Sequence, residues 1–201
     1  MANTPPTRER ILEAAIAAIE SGGEVSLRVG AIAESADITK PSIYHFFGDR
    51  DGLIAAAQAE RYRRSVVSGL EQAIALTLAA NSRDEFEALL PVFVDVAMDT
   101  VGAIRRAERI QVLGSAVSRP KLTSEIVEAT RRAVDLTSEL VAIAIRRGWI
   151  TPTFSDDAIA LWWLSLTMGR HLFDLMDDER LHHEWRAMAL ANLRLLCLGE
   201  T

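Results

Sequence analysis

Apolar residues recur every three or four positions along almost the whole chain, and this spacing is the strongest constraint on its fold. The first stripe comprises Ile11, Leu12, Ala15, Ile16 and Ile19, which would share one face of an α-helix. No convincing run of alternating β-branched residues interrupts the pattern with a strand. The sequence therefore predicts an all-α chain.

Helix-start and helix-stop residues divide this pattern into about nine helices. Ser26, Thr39, Asp49, Ser82 and Ser155 each stand before a periodic segment, where a side-chain oxygen can accept a bond from a first-turn amide. The predicted helices cover about 7–21, 27–35, 40–47, 50–79, 82–100, 101–117, 122–147, 156–176 and 181–198.

Two of the short helices are joined by the tight turn Ala36-Asp37-Ile38. Two short helices braced by a first helix form a helix-turn-helix, whose second helix enters the major groove of DNA. We therefore predict a three-helix DNA-binding head over residues 1–49 and a helical-bundle regulatory and dimerisation body over 50–201. The helix over about 50–79 would connect them.

The second short helix has the two faces that this role needs. Ile43 and Phe47 are expected in the core, together with Phe46. Lys40 can reach guanine acceptors, and Ser42 can pair with either kind of base edge.

Other residues of the same segment could also contact DNA. His45 supplies a further outward donor, and Pro41 could touch a thymine methyl group. The Tyr44 hydroxyl can reach a phosphate. Arg50 opens the next helix, where a cation opposes the helix dipole, so we interpret it as part of a phosphate site; a simply solvated Arg50 is the alternative.

The charge balance argues against this interpretation to some extent. The net charge is −6, and residues 1–50 hold five basic and seven acidic side chains. Phosphate affinity depends on where the cations lie, however, and Asp49 is the only acid between Ile38 and Arg50. A helical ligand-binding or interaction protein with weak or no DNA binding is the alternative function.

The N-terminal part of the chain resembles the tetracycline-repressor (TetR) family. The resemblance is carried by Thr-Arg-Glu-Arg-Ile-Leu-Glu-Ala-Ala from Thr7, by Ile32-Ala33-Glu34, and by Ile-Thr-Lys-Pro-Ser-Ile-Tyr-His-Phe-Phe-Gly-Asp-Arg from Ile38. Asp37 stands where the family usually has glycine, and Val29 and Gly30 stand where it often has polar residues.

The resemblance implies a homodimeric, ligand-responsive repressor that binds a palindromic operator in double-stranded DNA. By motif position, Tyr44 and Arg50 would contact phosphates, and Thr39 would lie at the groove edge. Ser26 and Arg28 would approach the DNA backbone. Lys40, Pro41, Ser42 and His45 would face the bases.

The body carries candidate residues for a small, hydrophobic effector and for dimerisation. The aromatic and methionine side chains proposed to line a ligand pocket are Phe93, Met98, Trp162, Trp163 and Phe173, although such stripes are more often plain core. The residues proposed for a dimer interface on the last two long helices are Ser165, Gly169, Trp185, Met188 and Asn192.

Other chemistry has little support in the sequence. Adjacent His182 and His183 would point to different helix faces, so we predict no metal site and no cofactor. No nucleophile and base are paired in a catalytic pattern, so we expect no enzyme. The single cysteine, Cys197, excludes an internal disulfide, and no apolar run is long enough to span a membrane. We expect a cytoplasmic protein, associated with the nucleoid when bound to DNA.

Overall fold

The computed structural model describes residues 6–67, 69–176 and 178–198. Within these ranges the regular structure is eleven α-helices and one 3-10 turn, with no β-strand. The helices are α1 (Thr7–Gly22), α2 (Val29–Ser35), α3 (Lys40–Phe47), α4 (Arg50–Val67), α5 (Leu70–Ala79), α6 (Arg83–Met98), α7 (Thr100–Ala116), α8 (Pro120–Arg146), α9 (Asp156–Gly169), α10 (His171–Asp174) and α11 (Glu179–Leu198). The all-α prediction is confirmed.

Two helices that the sequence predicts as continuous are broken. The connector expected over 50–79 divides into α4 and α5, because Gly69 adopts a left-handed φ of 87° that suits glycine and ends helical geometry. The helix expected to reach Met176 ends at Gly169. After it the chain tightens, and the Phe173 amide donates to the Arg170 carbonyl three residues back at 2.8 Å.

The start of the helix-turn-helix also differs from the prediction. Residues Glu24–Ser26 form the 3-10 turn, and α2 begins at Val29 rather than at Leu27. Ser26 does not cap α2, because its hydroxyl donates to the Ala18 and Gly23 carbonyls at 2.7 and 2.8 Å. Three other residues predicted to cap helix N-termini do so. Asp49, Ser82 and Ser155 accept bonds from the amides of Gly52, Glu85 and Ala158.

A continuous apolar core holds the first three helices and α4 together. The buried members of this core are Ile11, Leu12, Ala15, Ile16, Ile19, Leu27, Ile32, Ala33, Ile43, Leu53, Ile54 and Ala57. Ile43 is fully buried, so it fixes the rotation of α3 and turns the opposite face of that helix to solvent. Asp37 adopts the left-handed φ of 51°, as the turn between α2 and α3 requires.

Packing divides the chain into two compact units. The first comprises the described residues up to Arg64 together with Gln111–Val127, and the second comprises Ser65–Ile110 together with the described residues from Glu128 onward. The domain boundary between residues 49 and 50 stays a prediction, because compact packing units are not the same as independently folding domains.

Two arginines, the buried Arg106 and the exposed Arg147, close helix ends in the second unit. Arg106 is 1% exposed, donates from Nε and Nη2 to the Asp174 carboxylate at 2.6 Å each, and also bonds the Ala97 carbonyl at the end of α6. Arg147 donates to the Leu78 carbonyl at 2.9 Å and also bonds the Ala80 carbonyl, which satisfies the end of α5.

None of the helices in the described ranges is both long enough and apolar enough to cross a membrane.

Replacing Ile43 with alanine should strongly destabilise the head. The side chain is fully buried, and removing such a group from a core costs about 2–5 kcal/mol. Urea denaturation followed by circular dichroism measures the change. Val25→Ala is the matched control, because Val25 is 87% exposed and its truncation should change stability by less than about 0.5 kcal/mol. Equal effects of the two substitutions would contradict this account of the head.

Candidate DNA-binding surface and ligand cavity

The solvent face of α3 carries most of the predicted DNA-contacting side chains. Lys40, Pro41, Tyr44 and His45 are exposed, and Ser42 is half-buried. Tyr44 is 46% exposed although it is aromatic. Since Ile43 occupies the core, this polar face is presented by a fixed helix.

The Lys40 side chain lies across α2. A Cβ atom at Gly30 would stand 3.2 Å from Cε and 3.4 Å from Nζ of Lys40, tighter than ordinary van der Waals contact. Gly30 therefore gives the lysine chain room at this place. Gly30 stands where the TetR family often has a polar residue, and the closeness of the Lys40 side chain explains why glycine suits this position.

The hydroxyl groups of Thr39 and Ser42 are 3.0 Å apart and form a hydrogen bond. Thr39 stands at the N-cap of α3, but its side chain does not cap a helix amide. One of the two hydroxyl hydrogens is therefore already used in this bond, and only the other can be donated to DNA.

The prediction that Phe46 belongs to the core is wrong. Phe46 is 42% exposed, whereas Phe47 packs against the core of the head. The Phe46 ring lies edge-on to the His45 ring, with centroids 5.3 Å apart. Helical spacing puts Ile43 and Phe47 four residues apart on one face, which leaves Phe46 beside them.

Arg50 has a bracing role that the sequence did not reveal. Its Nε donates to the Leu27 carbonyl at 2.9 Å, and its Nη2 donates to the Glu24 carbonyl at 2.6 Å. These bonds tie the start of α4 to the turn before α2. Two of the five donors of Arg50 are therefore used inside the head, and its contact with a DNA phosphate stays a prediction.

Ser26 and Arg28 differ in what they can offer to a DNA backbone. The Ser26 hydroxyl already donates to backbone carbonyls, which leaves no hydrogen for a phosphate. Arg28 is exposed at the N-cap of α2. Arg8, which the sequence analysis did not single out, places its guanidinium 5.5 Å from the centroid of the Phe47 ring and adds a cation near the end of α3.

A polar network around Glu24 joins the head to the last turn of α7 and the residues after it, all within the first unit. The Glu24 carboxylate accepts from Gln58 at 2.7 Å, from Ser115 at 2.5 Å and from Arg119 Nη2 at 3.1 Å. Arg119 Nε also donates to Asp51 at 2.8 Å. The contacts of Glu24 with Ser115 and Arg119 link residues more than 90 positions apart, so no local sequence pattern predicts them.

This network determines the ionisation of Glu24. Partial burial alone would raise the pKa of the carboxyl group, but the hydrogen bonds from Ser115 and Gln58 and the charge of Arg119 outweigh burial and hold the pKa below its ordinary value. Glu24 is therefore ionised near neutral pH, when the network is complete.

A cavity of about 240 Å³ lies within the second unit. Its lining is mainly apolar and includes Phe93 and Trp163, two of the five candidate ligand-binding residues. Met98, Trp162 and Phe173 do not line it, and a ligand-binding role for any of the five residues stays a prediction. Met98 and Trp162 pack instead against the apolar cluster around Val94, and Phe173 faces the Arg170 guanidinium at 5.8 Å.

Part of the cavity wall is charged, which the apolar pattern of the sequence does not indicate. Arg105, Arg106 and Arg109 of α7 line it. Asp174, the partner of Arg106, has a pKa below its usual range, since burial would raise it but the bonds and charge of Arg106 outweigh that effect. Cys197 also lines the cavity, and burial raises the pKa of its thiol to about 11.

The candidate dimer residues lie on the outer faces of α9 and α11. Ser165, Gly169, Met188 and Asn192 are exposed. Trp185 is half-buried, and the Arg170 guanidinium lies 5.1 Å from its ring centroid.

The described ranges contain no group of three or more His, Cys, Asp or Glu side chains placed to hold a metal ion. His182 Nε2 is 3.1 Å from the Phe173 carbonyl, and Asp178 accepts from the Leu181 amide at the start of α11. The two side chains thus serve the local backbone.

The head matches a known family. The model of the bacterial regulatory proteins of the tetR family matches residues 11–57, the span that holds the buried core of the head and all of α3. Residues 11–57 of the chain are thus similar to the DNA-binding segment of this family. The matched span includes both short helices, α2 and α3, and the turn that joins them.

The chain is also similar to two curated transcriptional regulators. The chain is 30% identical to the HTH-type transcriptional regulator BetI of Stenotrophomonas maltophilia over 89 residues, which are 43% of each chain. It is 23% identical to the HTH-type transcriptional regulator UidR of Escherichia coli over 170 residues, which are 82% of this chain and 79% of UidR. The chain thus matches less than half of the BetI length, and both relatives are regulators rather than enzymes.

Solved structures share the fold of nearly the whole chain. A protein of Rhodococcus sp. assigned to the family aligns with a TM-score of 0.65 at 22% identity, covering 94% of this chain and 97% of its own. FadR of Bacillus subtilis, solved with stearoyl-CoA, aligns with 0.57 at 18%, covering 96% and 100%. A regulator of Saccharomonospora viridis, solved with choline, aligns with 0.61 at 18%, covering 94% and 97%.

Replacing Glu24 with glutamine should weaken the head in a pH-dependent way. Because the pKa of Glu24 is lowered in the folded chain, its contribution is present above the unfolded pKa and is lost as pH falls through the folded pKa. Glu24→Gln should therefore lower the melting temperature at neutral pH and reduce the loss of stability between about pH 5 and pH 3. Thermal unfolding at several pH values measures both effects.

Glu34→Gln on the exposed side of α2 is the control, and it should change neither quantity appreciably. If Glu24→Gln leaves the melting temperature unchanged at neutral pH, the network does not stabilise the first unit.

Proposed function

We propose that this chain is a repressor that binds a palindromic operator as a homodimer and leaves it when a small, mainly apolar effector fills the cavity of the second unit. The observation that carries the DNA-binding part is α3, whose exposed Lys40, Tyr44 and His45 stand opposite the fully buried Ile43. A helix fixed in this way can present donors to the major groove.

The side chains of the α3 segment divide by role in this proposal. Lys40, Ser42 and His45 read base edges, and Pro41 contacts a thymine methyl group. Tyr44 donates its hydroxyl to a phosphate. At the edges of this surface, Thr39 lies at the groove margin and Arg28 approaches the backbone, while Arg50 chiefly positions the turn before α2 and offers its remaining donors to a phosphate.

The outer faces of α9 to α11 support dimerisation. Large apolar side chains are exposed along these helices, and they are Leu161, Leu172, Leu175, Met188 and Leu195. Exposed apolar patches of this kind mark interaction surfaces. Gly169 has open space where a side chain would stand, so a second copy could approach α9 closely through the proposed residues Ser165, Gly169, Trp185, Met188 and Asn192.

The cavity supports control by a small molecule. Its size is near the lower end of ordinary ligand pockets, and structures of similar fold were solved with stearoyl-CoA and with choline. In the proposal, the effector favours one of two states of the dimer, and only the other state fits the operator. Helix α7 carries cavity residues in its middle and Ser115, a partner of Glu24, in its last turn.

The alternative is a helical binding protein with weak or no affinity for DNA. The acidic balance of residues 1–50 favours it. A DNA titration separates the two functions directly.

Removing single donors from α3 should weaken operator binding in two different ways. Tyr44→Phe deletes only a hydroxyl, so it should cost about 1 kcal/mol per protomer on every sequence. Lys40→Ala should cost about 1–3 kcal/mol per protomer and also change which sequences are preferred. Fluorescence anisotropy with DNA from upstream of the protein's own gene, repeated at several salt concentrations, measures affinity and salt dependence.

Lys121→Ala is the matched control, because Lys121 is an exposed lysine outside the head helices. It should bind as the parent chain does. If the parent chain retards no genomic fragment at low salt, the repressor function fails and the alternative stands.

A further inference from the structure

The charged residues that line the cavity all have the same sign. Arg105, Arg106 and Arg109 are its ionisable lining groups apart from the Cys197 thiol, and no Asp or Glu of the described residues lines it. The rest of the lining is largely aliphatic and aromatic. This arrangement is unexpected in a chain whose net charge is −6.

The three arginines differ in how far the protein already satisfies them. Arg106 is committed to Asp174 and to the Ala97 carbonyl. Arg109 is 8% exposed and donates from Nε to the Arg105 carbonyl at 3.2 Å. The half-buried Arg105 guanidinium forms no hydrogen bond or ion pair with any residue in the described ranges.

A further buried arginine adds to the positive charge beside Arg106. Arg170 is 2% exposed, and its Nε and Nη1 have no hydrogen-bond partner among the residues that the structure describes. Asp174 is fully engaged by Arg106, yet it is also the acid that offsets the charge of Arg170. Burial lowers the pKa of Arg170. One carboxylate therefore faces two buried guanidinium groups.

Buried positive charge without a matching anion is costly in a protein interior. An anionic group entering the cavity would relieve that cost, and a guanidinium recognises carboxylate or phosphate oxygens through parallel hydrogen bonds. The apolar lining would at the same time reject a wholly polar anion.

We propose that the cavity binds an anionic amphipath, a molecule with one acidic oxygen group on an apolar body. Arg105, assisted by Arg109, binds the anion, and Phe86, Leu90, Phe93 and Val141 enclose the apolar part. This inference rests on the proposed function, because it names the chemical class of the effector. A cationic effector such as a quaternary ammonium compound is excluded by the same arginines.

Binding to the full-length chain can be measured by isothermal titration calorimetry with four eight-carbon probes. The probes are octanoate, octyl phosphate, neutral octanol and cationic octyltrimethylammonium. The better of the two anions should bind at least about tenfold more tightly than octanol, which corresponds to about 1.4 kcal/mol, and the cation should bind least. The octanoate and octyl phosphate titrations separate a carboxylate site from a phosphate site.

Substitutions then test whether Arg105 is the source of this preference. Arg105→Met keeps the length of the side chain and should bring the anions to within about twofold of octanol, while the affinity for octanol stays unchanged. Arg105→Lys should retain part of the preference. Arg132→Met, at an exposed arginine of α8, is the control and should bind all four probes as the parent does.

Octanol or the cation binding as tightly as both anions would overturn the proposal, and so would no binding by any probe at millimolar concentration. An unchanged anion preference in Arg105→Met would overturn the assignment of Arg105. If an anion binds as expected but does not alter DNA affinity, the anion site stands and the effector-release part of the proposed function fails. If no DNA is bound at all, the calorimetric result still decides the site.

Discussion

The Arg106 guanidinium joins three helices through one side chain. It extends from α7, holds Asp174 of α10 with two bonds of 2.6 Å and bonds the last turn of α6 at Ala97. Gly102 makes this possible, because a Cβ atom there would lie 2.8 Å from the Ala97 oxygen and 3.1 Å from Arg106 Nη1. The pair is almost completely buried, and breaking such a pair leaves an uncompensated charge at a cost of about 3–5 kcal/mol.

This contact also determines the chemistry of the cavity. With Arg106 fixed, Arg105 and Arg109 are held on the same helix at the cavity wall. Both carboxylate oxygens of Asp174 accept hydrogen bonds from Arg106, so little negative charge remains to offset Arg170. The Arg106–Asp174 pair thus stabilises the second unit. By engaging Asp174 it also leaves few carboxylates around α7 and α10, which favours the proposed binding of an anion.

The head depends on a different balance. Its core fixes α3 through Ile43, while its acids outnumber its bases. Outside the head, Arg119 offsets the charge of Glu24, and Ser115 and Gln58 donate hydrogen bonds to its carboxylate. The local field around α3 is therefore more favourable to DNA than the net charge indicates, since phosphate contacts act over about a Debye length of 10 Å.

Local signals in the sequence predicted most of the fold. Capping side chains such as Ser82 and Ser155 act within three residues, and the stripe containing Ile11 and Ile16 has a fixed period, so both can be read without tertiary information. The break at Gly69 was missed because a glycine inside a helical pattern does not reveal whether its φ is positive. The exposure of Phe46 follows from its place on α3, beside the face that Ile43 and Phe47 share, and not from its aromatic character.

The site was harder to predict because its contacts join distant segments. Arg50 was interpreted from its place at a helix start, but its partners Glu24 and Leu27 lie more than 20 residues away. Of the aromatic candidates, Phe93 and Trp163 reached the cavity. Arg105 and Arg109 are two cations four positions apart, so they share one helical face. This spacing is visible in the sequence, but the predicted pocket was based on aromatic and methionine side chains.

Selection of bound DNA from a random pool by the purified full-length chain tests the central claim most directly. A dimeric helix-turn-helix regulator should enrich an inverted repeat whose half-sites are centred about one helical turn, or a whole number of turns, apart. Enrichment of such a repeat by the parent chain is the predicted result. A pool that stays random, or one that converges on a single asymmetric sequence, would contradict the account.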